Sequence, residues 1–79
     1  MNLPIEIQRR IMLENPFESG FFWGVQADGD GKIFFETLFT SRAAVIGFLG
    51  NALNFPGQGE FYVLKSFDGV ISTVFYYNW

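Results

Sequence analysis

Phe21-Phe22-Trp23-Gly24-Val25-Gln26-Ala27-Asp28-Gly29-Asp30-Gly31-Lys32-Ile33-Phe34-Phe35-Glu36-Thr37-Leu38-Phe39-Thr40 reads as one β-hairpin, two β-rich runs around an Asp-Gly-Asp-Gly turn signal. Loop length decides its register. A two-residue loop on Gly29-Asp30 pairs Gln26 with Ile33 and Trp23 with Glu36, mixing polar and apolar groups on both faces. A three-residue loop with Gly31 left-handed pairs Ala27 with Ile33, Val25 with Phe35, Trp23 with Thr37 and Phe21 with Phe39. That register yields one almost wholly apolar face, which a one-residue slip would lose, so it is the expected one.

Working outward, residues 2–15 carry Leu3, Ile7 and Ile11 at i, i+4 spacing, with Ile5 and Met12 flanking the stripe. Pro4 suits the first turn of a helix there, and Asn15-Pro16 ends it, because a residue before proline avoids the helical region. After the hairpin, Thr40 or Ser41 can cap a second helix running to Leu53, with Val45, Phe48, Leu49, Ala52 and Leu53 as its apolar stripe and Ile46 on its edge. Gly47 and Gly50 weaken such a helix, so close packing against another backbone is their expected return. Asn54-Phe55-Pro56-Gly57-Gln58-Gly59 makes a loop. A second hairpin follows, with strands at residues 61–67 and 70–78. Its Asp68-Gly69 type I′ turn pairs Phe67 with Val70, Lys65 with Ser72 and Val63 with Val74. This hairpin is apolar on both faces, as a sandwiched element would be, or one with a buried side and a binding side.

The chain thus reads αββαββ, a single α+β domain over residues 1–79. The two hairpins are expected to join into a four-stranded antiparallel sheet with two helices packed on one face. Asp30-Gly31 and Asp68-Gly69 lie 38 residues apart, as do Phe17 and Phe55, which hints at two related αββ units.

Seventy-nine residues lie near the lower size at which a core holds without staples, and there is no cysteine to supply one. Eleven Phe, three Tyr and two Trp supply the core instead, each able to bury roughly 150–250 Å². The formal charge of −3, eight acids against five bases, argues against phosphate-backbone binding. Histidine is absent, which removes the commonest general base and metal ligand. The first ten residues lack a charged region followed by an apolar run, so no signal peptide is expected. The longest apolar run, residues 43–50, is far short of the ~20 residues that span a bilayer. A cytoplasmic protein without membrane contact is the expectation.

Several constellations invite a chemical reading. A calcium loop starting at Asp28 would need glycine at its sixth position and glutamate at its twelfth, where Ile33 and Phe39 stand. The glycines at 20, 24, 29, 31, 57 and 59 never occupy a strand–loop–helix phosphate cradle followed by lysine. No spacing forces two carboxylates together, and no histidine, cysteine or serine elbow assists them. No enzymatic activity, cofactor or metal is expected. The expected outer face of the first hairpin carries Phe22, Phe34 and Leu38 among Gln26, Asp28, Lys32 and Glu36. Exposed, those apolar groups would mark a partner site or a second subunit. RNA stacking would need nearby bases, and only Lys32 and Lys65 are candidates. The acids Glu18, Asp28, Asp30, Glu36, Glu60 and Asp68 fall on loops, turns or that outer face, and could offer a negative surface to a basic groove. Asp28, Asp30, Glu36, Phe34, Phe22 and Glu18 are therefore the expected partner-binding residues.

In size and build the chain resembles the small anti-CRISPR inhibitors that phages encode. The resemblance is carried by the whole-chain αββαββ pattern, the residue 28–31 and Asp68-Gly69 hairpins, and the acids and aromatics between them. It implies stoichiometric binding to a Cas protein or CRISPR surveillance complex that blocks target-DNA binding, by occlusion or by competition for basic residues; the modest net charge favours occlusion through polar and aromatic contacts. Two other readings stay open: an immunity or antitoxin-like protein that plugs a toxin, and a homodimer module joined through the Phe22/Phe34/Leu38 face. The chain itself would be monomer or homodimer.

Overall fold

The computed structural model describes residues 3–79, so the expected helix start at Asn2 lies outside the described residues. The elements are α1 (Ile5–Glu14), β1 (Phe22–Ala27), β2 (Ile33–Phe39), α2 (Arg42–Leu49), a 3₁₀ turn (Ala52–Asn54), β3 (Glu60–Phe67) and β4 (Val70–Asn78). The strands form one antiparallel sheet in the order β2-β1-β3-β4. The expected αββαββ order and four-stranded sheet are both present.

Local chemistry sets the element ends. Pro4 precedes α1 with its carbonyl accepting the Ile7 and Gln8 N–H groups at 3.0 and 3.1 Å. Asn15 closes that helix in the left-handed region, φ 42°, and its N–H returns to the Ile11 carbonyl. Ser41 caps α2, its Oγ accepting the Ala44 N–H at 3.1 Å. α2 ends at Leu49 rather than at the expected Leu53. Asn51 breaks it: its Oδ1 takes the Leu53 N–H at 3.0 Å and starts the 3₁₀ turn. Leu53 is left 91% exposed, outside the core it was expected to join.

Both turns form as their sequences require. Gly31 is left-handed at φ 80°, and Asp28 Oδ1 accepts the Asp30 and Lys32 N–H groups at 2.9 and 3.0 Å. Asp68 and Gly69 take φ values of 50° and 80°, as a type I′ turn demands. Away from the turns, each hairpin departs from the expected register at a bulge. Ala27 faces Ile33, but Gln26 faces Phe35, so Phe34 is an extra residue. Val25 then lies opposite Glu36, Trp23 opposite Leu38, and Phe22 opposite Phe39. In the second hairpin Leu64 faces Thr73 and Val63 faces Phe75, with Val74 the extra residue.

The bulges matter because the sheet is covered on both sides. All six residues of β1 are buried, which a strand with one solvent face cannot show. On one face α1 packs Ile7 against Trp23, Val25, Ala27, Tyr62 and Leu64, with Ile11, Phe17 and Ile33 at the margin. On the other, Val45, Phe48 and Leu49 of α2 meet Phe22, Phe39, Phe55, Phe61 and Val63. Phe48 is the centre of this second cluster. It stacks on Phe35 and Phe61 with centroids 5.8 and 5.5 Å away, and meets Phe39 and Phe55 edge-on at 5.2 and 5.1 Å. The expectation that both helices share one face is therefore corrected: they flank the sheet.

That placement also answers the hint of duplication. Exchanging β1 with β3 and β2 with β4 reverses strand direction. Done by rotation, it leaves the helices on one face. Here the helices lie on opposite faces, so the two αββ units have opposite hand and no rotation superposes them.

The glycines expected to pack closely do not. A Cβ at Gly47 would meet nothing within 4 Å, and one at Gly50 only carbonyls of its own helix. Close approach occurs instead at the β1–β3 seam. A Cβ at Gly24 would stand 2.6 Å from Phe39 and 2.9 Å from Phe61, and one at Gly59 would lie 2.1 Å from the Ala27 carbonyl oxygen.

Candidate functional site

The six residues expected to bind a partner do not share a face. Phe22 lies on the α2 face, 8% exposed, with the Lys65 ammonium 4.2 Å from its ring centroid. Glu36 and Leu38 lie on the α1 face. Glu36 is occupied there: Arg10 donates to its Oε2, and Trp23 Nε1 donates to its Oε1 at 3.2 Å. Arg10 also pairs with Glu14 at 2.6 Å, and the hydrogen bond to Glu36 raises its pKa above the ordinary value. Glu18 is exposed in the linker before β1. The Phe22/Phe34/Leu38 surface, on which the homodimer reading rested, is thus split between two faces.

Three of the six do converge, at one end of the sheet. Asp28 and Asp30 sit in the β1–β2 turn, and Phe34, in its bulge two residues beyond Lys32, remains 39% exposed. The Phe34 ring rests on loop glycines: added Cβ atoms at Gly57 and Gly59 would meet it at 3.2 and 3.1 Å. Gln26 holds that loop down from below, its Nε2 donating to the Gly57 and Gly59 carbonyls at 3.2 and 3.3 Å. The loop in turn clamps the end of the chain, with Gly59 and Trp79 exchanging both backbone hydrogen bonds at 2.8 and 2.9 Å.

At the same end of the sheet a shallow cleft opens, lined by Pro4, Asp28, Gly31, Gly59, Glu60 and Asn78 among others. Glu60 was grouped with the loop acids from sequence but not placed in the site; the Ala27–Glu60 pairing of β1 with β3 brings it there. Tyr62 donates its hydroxyl to Glu60 Oε2. Burial, then that hydrogen bond, then the Glu60 charge all push the Tyr62 hydroxyl pKa upward.

At this end of the sheet lie Asp28 and Asp30 in the turn, Glu60 beside Asp28 in the cleft, and the half-exposed Phe34 ring over Gly57 and Gly59. Among the described residues none of these three acids is in an ion pair, whereas Glu6, Glu14 and Glu36 are. Such an end complements a cationic protein surface that also offers an apolar contact, and repels phosphate. Among the described residues no three His, Cys, Asp or Glu side chains are arranged to hold a metal ion, and no helix is long and apolar enough to cross a membrane. Comparison with protein-family models, with curated proteins and with solved structures returned no match.

Proposed function

We propose that this protein is a non-enzymatic, protein-binding inhibitor that docks its Asp28/Asp30/Phe34/Glu60 end onto a basic surface. The observation that carries this reading is that Asp28, Asp30 and Glu60, none of them in an ion pair among the described residues, lie at the same end of the sheet as the half-exposed Phe34. We assign it to the anti-CRISPR class on its size and αββαββ build. On that reading the chain acts in the bacterial cytoplasm, binds a Cas protein or surveillance complex, and competes for the basic residues that would hold target DNA.

Phage plaquing on bacteria with active CRISPR immunity of several subtypes, with and without the expressed chain, tests it. Plaquing is expected to return in one subtype. Asp30→Lys is the sharpest variant, because Asp30 is exposed and its side chain makes no hydrogen bond among the described residues; it should reduce the rescue while circular dichroism stays unchanged. Reversal at Glu36 is unsuitable, since it would strip Arg10 and Trp23 of their acceptor. Rescue in no subtype by a folded protein overturns the anti-CRISPR reading. Rescue undiminished by Asp30→Lys removes the proposed surface.

A further inference from the structure

The two edges of the sheet are built differently. On the β2 edge, Glu36 is ion-paired to Arg10 from α1, and the bulge at Phe34 is pinned by the Gly57–Gly59 loop. Charges and bulges are the ordinary means of keeping foreign strands off an edge. The β4 edge has almost none of this. Its sequence, Val70-Ile71-Ser72-Thr73-Val74-Phe75-Tyr76-Tyr77-Asn78, contains no charged residue and no proline. Its only irregularity is the extra residue Val74. At about 3.3 Å per residue it runs roughly 30 Å, with backbone groups on its outer side that no strand among the described residues pairs. A groove along its outer side is lined by residues 71–76, and on the α2 face the Arg42 guanidinium stands 5.1 Å over the Phe75 ring.

We propose that β4 pairs antiparallel with β4 of a second copy, joining two sheets into one of eight strands. The row of backbone donors and acceptors calls for an extended strand, and the side chains select the same strand. The first part of β4 is β-branched, Val70 and Ile71, and the last part aromatic, Tyr76 and Tyr77. Antiparallel self-pairing sets each against the other, a favourable cross-strand combination, with no like charges opposed.

The bulge makes the faces agree. Val70 and Ser72 pair with Phe67 and Lys65, while Phe75 and Tyr77 pair with Val63 and Phe61, so all four β4 residues share the α2 face. Ile71, Thr73 and Tyr76 share the other. A two-fold axis normal to the sheet at the Thr73–Val74 step then opposes Val70 to Tyr77 and Ile71 to Tyr76, each pair on one face. Because the outer edges of the joined sheet are both β2, with their charge pair and bulge, assembly stops at two. The pairing is independent of the inhibitor reading.

Size-exclusion chromatography with light scattering on the full chain tests the proposal, with circular dichroism confirming that each variant is folded. The wild type is expected to run at twice the chain mass. Thr73 is exposed and lies beside the axis, so Thr73→Lys and Thr73→Glu should each raise the dimer dissociation constant by about tenfold or more through like-charge contact. Mixing the two should restore a dimer. A wild type that is monomeric at every concentration overturns self-pairing and leaves the edge to a foreign strand. A dimer indifferent to both substitutions overturns the interface, and a ladder of larger species overturns the closed two-fold.

Discussion

Individual residues in this molecule are constrained chiefly where two layers meet one strand. Gly24 is the tightest case in the core. Its missing side chain admits the Phe39 and Phe61 rings, so Gly24→Ala should cost about 1–3 kcal/mol by overpacking, read as a lower urea midpoint with an unchanged slope. Tyr62 links stability to alkaline pH. Below tyrosine's ordinary pKa of about 10 both folded and unfolded chains keep the proton, and its contribution is complete. As pH rises past that value the unfolded chain releases the proton while folded Tyr62 retains it, so stability falls until the raised folded pKa is reached. Urea midpoints should therefore decline in strongly alkaline buffer, and Tyr62→Phe should flatten the decline relative to wild type. A decline of equal steepness in both proteins would assign it to other groups.

At the scale of elements, what could be read in the sequence was what is local. The Asp-Gly turns, the Asn15-Pro16 end of α1 and the Ser41 cap follow from neighbours within four residues and formed as expected, while Pro4 stands just before α1 instead of in its first turn. The bulges did not announce themselves, because Phe34 and Val74 are ordinary strand residues and become extra only when both faces must be filled. Gln26 was expected on the outer face of the first hairpin, two residues from Gly24 on the same side of β1. They are buried because the residue 55–59 loop and the aromatic cluster close over them. The candidate site was half legible for the same reason: Asp28 and Asp30 belong to a turn, whereas the position of Phe34 and the arrival of Glu60 depend on register. α2 offers a direct test of its glycines. With open space around its Cβ position and a helical backbone, Gly47→Ala should stabilise the protein by about 0.5–1 kcal/mol. A loss of stability on thermal melting would mean that Gly47 serves a contact formed in solution.

For the whole molecule, the opposite hand of the two αββ units has a consequence for how the chain unfolds. Each hairpin is closed by a short turn, but β1 and β3, which make the centre of the sheet, are remote in sequence. Neither half owns an interior: the α1 cluster needs Tyr62 and Leu64 from the second half, and the α2 cluster needs Phe22 and Phe39 from the first. Docking of one preformed hairpin on the other is therefore the expected slow step of folding, since its contacts close the longest loops. No subset of elements retains a covered apolar surface once that seam parts, so melting should be all-or-none. Tryptophan emission, to which buried Trp23 contributes, and far-UV circular dichroism should trace one coincident transition in urea. Two separated midpoints would show that one half persists alone, and would locate the molecule's cooperativity within a hairpin rather than across the β1–β3 seam.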